Sequence, residues 1–362
     1  MAYVATRGGE KAIDQAERLY RQSIGTIDQK RITEIKNTLP YLIDRVMGEA
    51  SLYEPELAAL AIAQGGGDLY EAVLLLRAWR TTQPRIAIAK TIEQDKLFTL
   101  RRISAAFKDI PGGQILGPTL DYAHKILATH SLNGEPFIAQ AVEKSTKPSP
   151  AFLPSLSQWQ QAQGLVEAPV HHPIAAEDIP DLTREPLLFP TSRAHRLQSL
   201  SRADTGGVLA LGYSAMRGFG SAHPTVNELR LSEAEIIVSH PSGTQFSAGR
   251  IKISQAEVIS KTKKDKLELG FSATFGWNEV KVIAAATLDL NASTESKSDA
   301  VSEEFFLYHT EAVESSGFCI HFKLPHYVTF QSSLDALRGI KRRNADGSEI
   351  REDLKRLEEE LI

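Results

Sequence analysis

The sequence of 362 residues contains a single cysteine, Cys319. One cysteine cannot form a disulfide within the chain, and it cannot by itself build a cysteine-ligated iron–sulfur cluster or a thiolate zinc cage. Redox chemistry that depends on such a centre would therefore have to be supplied by another protein.

Long apolar runs are also missing. The longest runs, at 57–63 and 282–288, fall well short of the ~20 residues of a membrane span and are typical of a buried helix and a buried strand, respectively. The first fifteen residues contain charged side chains around a glycine pair and have no apolar core of signal-peptide length. We therefore expect a cytoplasmic protein that does not enter a membrane.

The charge balance is slightly acidic, with a net charge of −4. Nucleic-acid-binding proteins usually have a broad basic face, so we expect no nucleic-acid partner. Glycine-rich segments occur at 8–10, 65–68 and 111–114, but none has the spacing of a phosphate loop or a dinucleotide-binding motif. The sequence also lacks a Gly-x-Ser-x-Gly nucleophile elbow and a repeat of fixed period.

Apolar residues recur at helical spacing through most of the N-terminal half. Asp68 stands where an N-cap is expected and Glu71 follows three residues later, which is the capping-box arrangement. A glycine turn at 111–113 precedes a helix that we expect to begin near Pro118. The other helices predicted here are 9–23, 28–51 with a bend near Pro40, 55–64 and 157–165.

From about residue 226 the pattern changes to strands, with β-branched and aromatic residues in partial alternation. The sequence therefore predicts an α+β protein with a largely helical N-terminal half and an antiparallel β-rich region in the C-terminal half, flanked by helices. The strand-like stretches are 228–240, 249–262 and 266–290. The expected divisions are a mostly helical domain at 1–150, a Pro-rich connection at 151–190, an α+β domain at 191–340 and a charged helix at 341–362.

The most distinctive segment is 184–230, which combines arginines with glycines. It has six arginines, no lysine and three acids, which gives a local charge of +3. Arginine binds phosphate or carboxylate with a planar fork of donors, and glycine lets backbone N–H groups approach an anion closely. The segment is therefore either an anion-binding site or a solvated, loop-rich surface.

Within this segment, Asp204 and Thr205 directly precede Gly206 and Gly207. A carboxylate and a hydroxyl in this position suit a magnesium-bound phosphate or the hydroxyls of a ribose, although they are also ordinary turn residues. His223 and Glu228 are further groups able to move or accept a proton.

A second motif contains two histidines, His321 and His326, five residues apart with Pro325 between them. This spacing excludes the i, i+4 pair of a zinc helix, but a tight turn at 323–325 would bring the two imidazoles together. Two ligands do not complete a metal site, so a third would be His309, Cys319 or a group from another chain. The alternative is a pair of ordinary polar or interface residues.

Five segments together resemble the I-subunit family of the bacterial carbon–phosphorus lyase core complex, from about Tyr3 to Leu337. They are YVATRGGEKAI (3–13), IPGGQILGPTLDYAH (110–124), RLQSLSRADTGG (196–207), YSAMRGFGSAHPTVNELR (213–230) and HFKLPHYVTFQ (321–331).

The resemblance implies a role in using phosphonates as a source of phosphorus. Alone, this kind of subunit releases the base from ATP or GTP. With its partners it joins an alkylphosphonate, such as methylphosphonate, to the ribose C1′ as adenine leaves, which gives α-D-ribose 1-methylphosphonate 5-triphosphate. The resemblance also implies subunits G, H and J in a core complex with two copies of this chain, and the ATPase-like subunits K and L. Cleavage of the carbon–phosphorus bond is expected in subunit J.

The same resemblance implies that His321 and His326 bind zinc at the boundary with the J subunit. For the glycosyl chemistry, we expect Arg193, Arg196, Arg202 and Arg217, with Gly206 and Gly207, to hold the triphosphate and the phosphonate, with Mg²⁺ accompanying ATP. Displacement at an anomeric carbon passes through an oxocarbenium-like state. We expect Asp204 or Glu228 to stabilise that state and His223 to assist the departing base.

Two other interpretations remain open from the sequence. The chain is either mainly a structural, metal-bridging subunit whose arginines form protein interfaces, or a stand-alone metal-dependent hydrolase. Base release by the purified chain separates the first alternative from the enzyme, and loss of activity on chelation in the absence of partners would indicate the second.

Overall fold

A computed structural model of the chain describes residues 8–138, 153–166, 179–219, 223–240, 242–261, 266–292, 302–324 and 326–360. The chain forms two compact units, one from Met1–Thr26 and Ser316–Ile362 and the other from Ile27–Ser315. Within the larger unit, a strand from the N-terminal half joins the sheet of the C-terminal half. The domain boundaries expected near residues 150 and 191 stay a prediction.

The N-terminal half begins with five helices that match the predicted ones closely. Pro40 starts a new helix at its first position instead of bending a longer one. The Asp68 side chain accepts hydrogen bonds from the backbone N–H groups of Tyr70 and Glu71, at 2.9 and 3.1 Å, which confirms the predicted N-cap. The helices are α1 (Gly9–Ile24), α2 (Gln29–Thr38), α3 (Pro40–Ala50), α4 (Pro55–Gln64) and α5 (Leu69–Thr81).

One antiparallel sheet forms the centre of the larger unit, in the order β1-β2-β3-β4. The strands are β1 (Phe98–Ile103), β2 (Thr225–Ser239), β3 (Gln245–Lys261) and β4 (Leu267–Phe275). Short segments cover both edges: Ile115 bridges to Arg102 of β1, and Val166 bridges to Leu267 of β4. The α+β class is therefore confirmed, but β1 was not predicted, because adjacent arginines interrupt its alternation of apolar and polar residues.

The expected strand at 282–288 is wrong, because the structure has helix α9 (Glu279–Ala292) there. This helix packs on β3 and β4 and is buried nearly all round, so its alanine-rich sequence lacks the amphipathic signal of a surface helix. Helix α9 and strand β4 lie very close together, because a Cβ at Gly270 of β4 would collide with the backbone carbonyl of Ala286.

The helix expected near Pro118 is also wrong. Residues 116–128 have no regular structure, and only a 3₁₀ turn follows at Thr129–Asn133. Gly117 has a φ of 59°, and the Leu116 carbonyl accepts a 2.6 Å hydrogen bond from Arg101 Nη1. These contacts hold the segment against β1, and the left-handed backbone at Gly117 prevents a helix from starting there.

The remaining described helices belong to the C-terminal half and to the residues just before it. The predicted helices at 157–165 and at the C-terminus are confirmed, although the last one begins much earlier than expected and residues 361–362 lie outside the described part. The helices are α6 (Leu156–Ala162), α7 (Arg193–Arg202), α8 (Thr205–Ser214), α10 (Glu303–His309), α11 (Ala312–His321) and α12 (Tyr327–Glu360).

In the smaller unit, large apolar side chains are exposed. Ile13 and Leu19 of α1 are 55% and 66% exposed, and Phe330 of α12 is 63% exposed. Across the described ranges, no helix has the combination of length and apolar character needed to span a bilayer.

Between the sheet and α6 lies a buried network of charged and polar groups. Glu228 of β2 accepts hydrogen bonds from Arg102 Nε and, at 2.8 Å, from Arg230 Nη2. Opposite it on β3, Glu257 accepts from Ser157 Oγ at 2.7 Å and from Asn227 Nδ2 at 2.9 Å. Burial, and then the negative charge of Glu228, raise the pKa of Glu257 to about 7.

This raised pKa predicts a pH-dependent stability. Between the ordinary glutamate pKa and about 7, the folded chain binds more protons at Glu257 than the unfolded chain does, so its free energy of unfolding falls as the pH rises through this window. Glu257→Gln should remove this loss, which amounts to roughly 2–3 kcal/mol. Denaturant unfolding from pH 5 to pH 8 measures it, with Glu235→Gln on the exposed side of β2 as the control. Parallel pH profiles for Glu257→Gln and the wild type would contradict the assignment.

Candidate functional site

A cavity of about 280 Å³ opens in the larger unit where α8 and α9 begin, and we call it the α8 pocket. Four parts of the chain meet there: α3, the segment after β1, the first turn of α8 and the first turn of α9. Its lining residues are Tyr41, Arg45, Leu120, Asp121, Thr205, Trp277, Asn278, Glu279, Val280 and Lys281.

Two aromatic rings form one wall of the pocket. The centroids of Tyr41 and Trp277 are 4.8 Å apart and their planes are inclined by 53°. The Trp277 backbone N–H donates to Asp44 Oδ2 at 2.9 Å, which fixes the start of the turn into α9. Burial, and then the charge of Glu279, raise the pKa of Tyr41, so its hydroxyl stays protonated. This wall offers a partly exposed aromatic surface on which a planar ring can stack.

Glu49 joins α3 to the first turn of α8. Its carboxylate is almost fully buried, and its Oε1 accepts from Arg45 Nε at 2.8 Å and from Thr205 Oγ1 and N at 2.7 and 3.1 Å. The Arg45 guanidinium also lies 3.5 Å from Asp204 Oδ1. Arg45 is therefore held at the pocket by two carboxylates, while about a third of its side chain remains exposed.

Lys281 adds a second cation to the pocket lining. Its Nζ donates to the Ser201 carbonyl at 2.7 Å, and the residue is 1% exposed. Burial lowers the pKa of Lys281 to about 8, although the charge of Glu49 opposes this shift. Since part of the lysine is neutral near pH 8, an anion that enters the pocket would favour its protonated form.

A carboxylate pair lines the same pocket, and a buried arginine holds both members. Arg101 of β1 donates through Nε to Glu279 at 2.7 Å and through Nη2 to Asp121. Arg101 is fully buried, whereas 56% of the Asp121 side chain is exposed. Asp121 belongs to one of the segments that carry the family resemblance, and Thr205 belongs to another.

Two helix N-termini meet at this pocket. Asp204 is the N-cap of α8, and its Oδ2 accepts from the Gly207 N–H. Asn278 precedes α9, and its backbone N–H donates to Ser254 Oγ at 2.8 Å. The first N–H groups of a helix have no partner within the helix, and the helix dipole favours negative charge there. At α8, however, the N–H groups of Thr205 and Gly207 already donate to Glu49 and Asp204. The pocket therefore combines an aromatic surface, two cations and the N-terminus of α9, which suits a ligand with a planar ring and phosphates.

The arginines predicted to bind anions have other partners in the structure. Arg193 and Arg196 of α7 both donate to the buried Asp289 of α9, at 2.7 and 2.9 Å, and Arg196 also binds Glu303 at 2.8 Å. Although burial raises the pKa of Glu303, hydrogen bonds from Thr191 and Arg196 lower it overall. These ion pairs join α7 to α9 and α10.

Arg202 and Arg217 lie elsewhere. Arg202 lines a different cavity and donates through Nη1 to the Leu182 carbonyl at 3.1 Å. Arg217, in a π-helical turn at Ala215–Phe219, is exposed and lies over the Tyr213 ring, 5.8 Å from its centroid. The structure therefore distributes the four predicted arginines among three different surroundings.

The predicted acid and base residues are also separated. Asp204 caps α8 beside Arg45 but does not line the pocket. Glu228 is bound by Arg102 and Arg230. Its side chain lies on the sheet face that α6 covers, and not on the face that packs against α9. His223 is exposed just before β2.

Thr205 lines the α8 pocket and Asp204 caps the same helix, whereas most residues that line the pocket were not among those predicted from the sequence. Arg45 lies within an apolar helical pattern, and Glu279 and Lys281 lie in the stretch predicted as a strand, so all three look like parts of ordinary core segments. Asp121 stood in a segment that was assigned to a helix. A charged residue inside a buried apolar run is the one signal that would have pointed to Lys281.

In the smaller unit, the two histidines do approach each other. The ring centroids of His321 and His326 are 5.2 Å apart, which compares with about 5 Å for two imidazoles on one tetrahedral zinc. His326 Nδ1 lies 2.5 Å from the Leu324 carbonyl, and His321 Nδ1 contacts the Phe318 carbonyl. Nδ1 donors of this kind leave Nε2 able to bind a metal. In the described residues no three His, Cys, Asp or Glu side chains are grouped to hold a metal ion.

Comparison with known proteins agrees with the resemblance seen in the sequence. A family model described as "Bacterial phosphonate metabolism protein (PhnI)" matches residues 2–344. A putative C-P lyase subunit protein HtxH of Stutzerimonas stutzeri is 40% identical, over 93% of this chain and 95% of that protein.

Two further relatives carry the same name, alpha-D-ribose 1-methylphosphonate 5-triphosphate synthase subunit PhnI. The protein of Rhizobium meliloti is 38% identical over 94% of this chain and 95% of its own length. The protein of Escherichia coli K12 is 37% identical over 95% of this chain and its full length. The chain therefore belongs to the PhnI family of bacterial phosphonate metabolism proteins.

Proposed function

We propose that this chain acts in phosphonate catabolism as the subunit of a carbon–phosphorus lyase system that displaces adenine from ATP. An alkylphosphonate oxygen attacks the ribose C1′ as the bond from C1′ to adenine breaks, and the product is the ribose 1-alkylphosphonate 5-triphosphate. With water in place of the phosphonate, the chain alone would release the base from ATP or GTP. The names of two relatives describe this synthase, and they support the assignment.

One observation supports the proposal that this reaction takes place in the α8 pocket. Two segments behind the family resemblance, one containing Asp121 and one containing Thr205, meet there beside Arg45 and Lys281. We propose that adenine stacks on the Tyr41 and Trp277 wall and that the phosphates lie against the N-terminus of α9, beside Arg45 and Lys281. A cavity of about 280 Å³ would hold part of a nucleotide, so the remainder would extend from its open side.

The carboxylates that line the pocket suit the glycosyl step. An oxocarbenium-like transition state needs a nearby negative charge, and Glu279 and Asp121 are the lining carboxylates. Their oxygens are also the ligand type that Mg²⁺ takes when it accompanies a triphosphate. Asp204 would then position Arg45 and the first turn of α8, while Glu228 stays in its buried ion pairs. His223 remains a proposed aid to the departing base.

The predicted arginines take different parts in this proposal. Arg193 and Arg196 would support the site through Asp289 of α9, the helix whose first turn lines the pocket. Arg217 is exposed and would contribute from outside the pocket, and Arg202 lines the second cavity.

For the smaller unit, we propose a zinc ion held by His321 and His326 together with a ligand from the J subunit. The spacing of the two rings fits such an ion, which would fasten this chain to its neighbour. The exposed apolar residues of α1 and α12 support partner subunits, and the expected ones are G, H and J, with K and L joining the assembly. These surfaces also favour the alternative that the chain is mainly a structural, metal-bridging subunit.

Replacing Lys281 tests the pocket. Because Lys281 is buried and its pKa is depressed, Lys281→Met should leave the melting temperature unchanged or raise it. It should weaken ATP binding about tenfold or more, since one charge-assisted contact is lost. Wild-type affinity should also decline above about pH 8, where Lys281 loses its proton. Calorimetric titration with ATP measures both effects.

Lys36→Met is the matched control for that experiment, because Lys36 pairs with Glu56 outside the pocket. Quenching of Trp277 fluorescence by ATP, absent in Trp277→Phe, would place the base against the aromatic wall. Unchanged ATP affinity in Lys281→Met would show that the nucleotide binds elsewhere, even if the chain still releases base.

Asp204→Asn tests the proposed positioning role. Asparagine caps a helix as well as aspartate does, so α8 should keep its start and the melting temperature should change little. The variant loses the charge 3.5 Å from Arg45, and we expect base release from ATP to fall about tenfold or more. Separate kcat and KM values show whether the loss lies in turnover or in binding. Full activity would rule out any catalytic or positioning role for Asp204.

Replacing either histidine tests the zinc site. His321→Ala or His326→Ala should remove the zinc bound at this chain in the purified complex, measured by elemental analysis. His240→Ala serves as the control, because His240 is exposed just after β2 and its Nδ1 lies 2.8 Å from Ser242 Oγ. Retention of all zinc in both variants would exclude these histidines as ligands, whatever the activity of the complex.

A further inference from the structure

A second cavity, of about 340 Å³, lies in the larger unit between α7, α10 and the segment at 182–187. We call it the Arg202 cavity. Its lining is mainly apolar, with several charged groups among the apolar side chains. The lining residues are Arg77, Leu182, Glu185, Pro186, Leu187, Ser199, Arg202, Ala203, Leu307, Tyr308, Glu311, Val313 and Glu314.

Arg202 is partly buried, and it differs from the buried arginines of the larger unit in its partners. Arg77 of the same cavity binds Glu311 and two backbone carbonyls, those of Glu49 and Arg202. Arg202 makes one hydrogen bond, to the Leu182 carbonyl, and its buried Nε has no hydrogen-bond partner. Within the described ranges, no carboxylate lies at ion-pair distance from Arg202. The cavity therefore contains an arginine side chain that, among the described residues, has no direct ion-pair partner.

The electrostatic surroundings make this arrangement unfavourable without a ligand. Burial, and then the positive charge of Arg77, lower the pKa of Arg202 to about 10. The negative charge of Glu311 opposes this shift, but a partly buried charge without a direct ion-pair partner still costs free energy, which an anion at this point would offset. Ser199 lies one helical turn before Arg202 and lines the same cavity, so its hydroxyl is a second donor on this side.

We propose that the Arg202 cavity binds a small phosphorus oxyanion, with the Arg202 guanidinium and the Ser199 hydroxyl as its donors. The apolar side chains of Leu187, Leu307 and Val313 leave room beside the oxyanion for a short alkyl group. Glu185, Glu311 and Glu314 at the same cavity disfavour a highly charged ligand such as a triphosphate. Inorganic phosphate and a monoalkyl phosphonate share the required chemistry.

Occupancy of this cavity would act on the α8 pocket through the backbone between the two. The Ser201 carbonyl accepts from Lys281 Nζ and from Thr274 Oγ1, each at 2.7 Å, and the next residue is Arg202. Asp204 then caps α8, and Thr205 lines the α8 pocket. An oxyanion that fixes Arg202 would therefore also fix the end of α7 and the start of α8. Binding of the oxyanion itself does not depend on ATP binding in the α8 pocket.

The test is calorimetric titration of the full chain with methylphosphonate and, separately, with inorganic phosphate. We expect at least one of the two to bind the wild type, and Arg202→Met to weaken that binding about tenfold or more. The Arg202→Met chain without ligand should be about as stable as the wild type, because the charge that it loses is partly buried and has a lowered pKa. Tighter binding of methylphosphonate than of phosphate would identify the phosphonate as the ligand, and the reverse order would identify phosphate.

Two further variants keep the test decisive. Arg184→Met is the control, because Arg184 is exposed, lies 3.7 Å from Asp181 and is not part of the cavity. Val313→Phe fills the cavity and leaves Arg202 in place, so it should also abolish binding, even if Arg202→Met fails to fold. The proposal is overturned if neither anion binds the wild type, or if either cavity variant binds as tightly as the wild type. Because ATP binding is measured separately, failure here leaves the α8 pocket unaffected.

Discussion

The buried carboxylate of Glu49 is the interaction on which the larger unit depends. It lies on α3, accepts three hydrogen bonds from Arg45 and Thr205, and its backbone carbonyl accepts two more from Arg77 of α5. A carboxylate that is 1% exposed has to be paired, since an unpaired buried charge costs several kcal/mol, of order 3–5. The first turn of α8 is therefore fixed to the N-terminal helices, and the α8 pocket exists because these elements cannot separate.

The need to pair buried charges also determines the partners of the arginines at 184–230, which the sequence predicted to bind ligands. Composition shows that arginines and glycines are concentrated at 184–230, but it does not show which carboxylates face them. Asp289 binds Arg193 and Arg196 from 96 and 93 residues away, and it sits in a stretch that looked like a strand. A pairing of that sequence separation depends on the sheet bringing α7 and α9 together, so no local pattern reveals it.

Much of the fold was nevertheless predictable where local signals agree with the tertiary contacts. Helices α1 to α5 have amphipathic spacing, proline starts or a capping aspartate, and their observed bounds follow those signals. Strand β1 was not predicted and helix α9 was predicted as a strand, because both depend on contacts with residues that are distant in the sequence. The two arginines of β1 are buried only because Glu228, Glu279 and Asp121 receive them, and α9 is buried on nearly all sides by the sheet and α8. The lining of the α8 pocket was difficult to predict for the same reason, because three of its four parts come from such segments or border them.

The charges around the α8 pocket also affect how it would bind an anion. Lys281 lies near the negative charge of Glu49 and the positive charges of Arg77 and Arg45, and burial keeps its pKa near 8. Since the pKa of a lysine rises when an anion approaches it, ligand binding and proton uptake are linked in this pocket. The linkage is largest where the unliganded lysine is partly neutral. A buried lysine with a carboxylate nearby therefore differs from an exposed one, because its protonation depends on whether the ligand is bound.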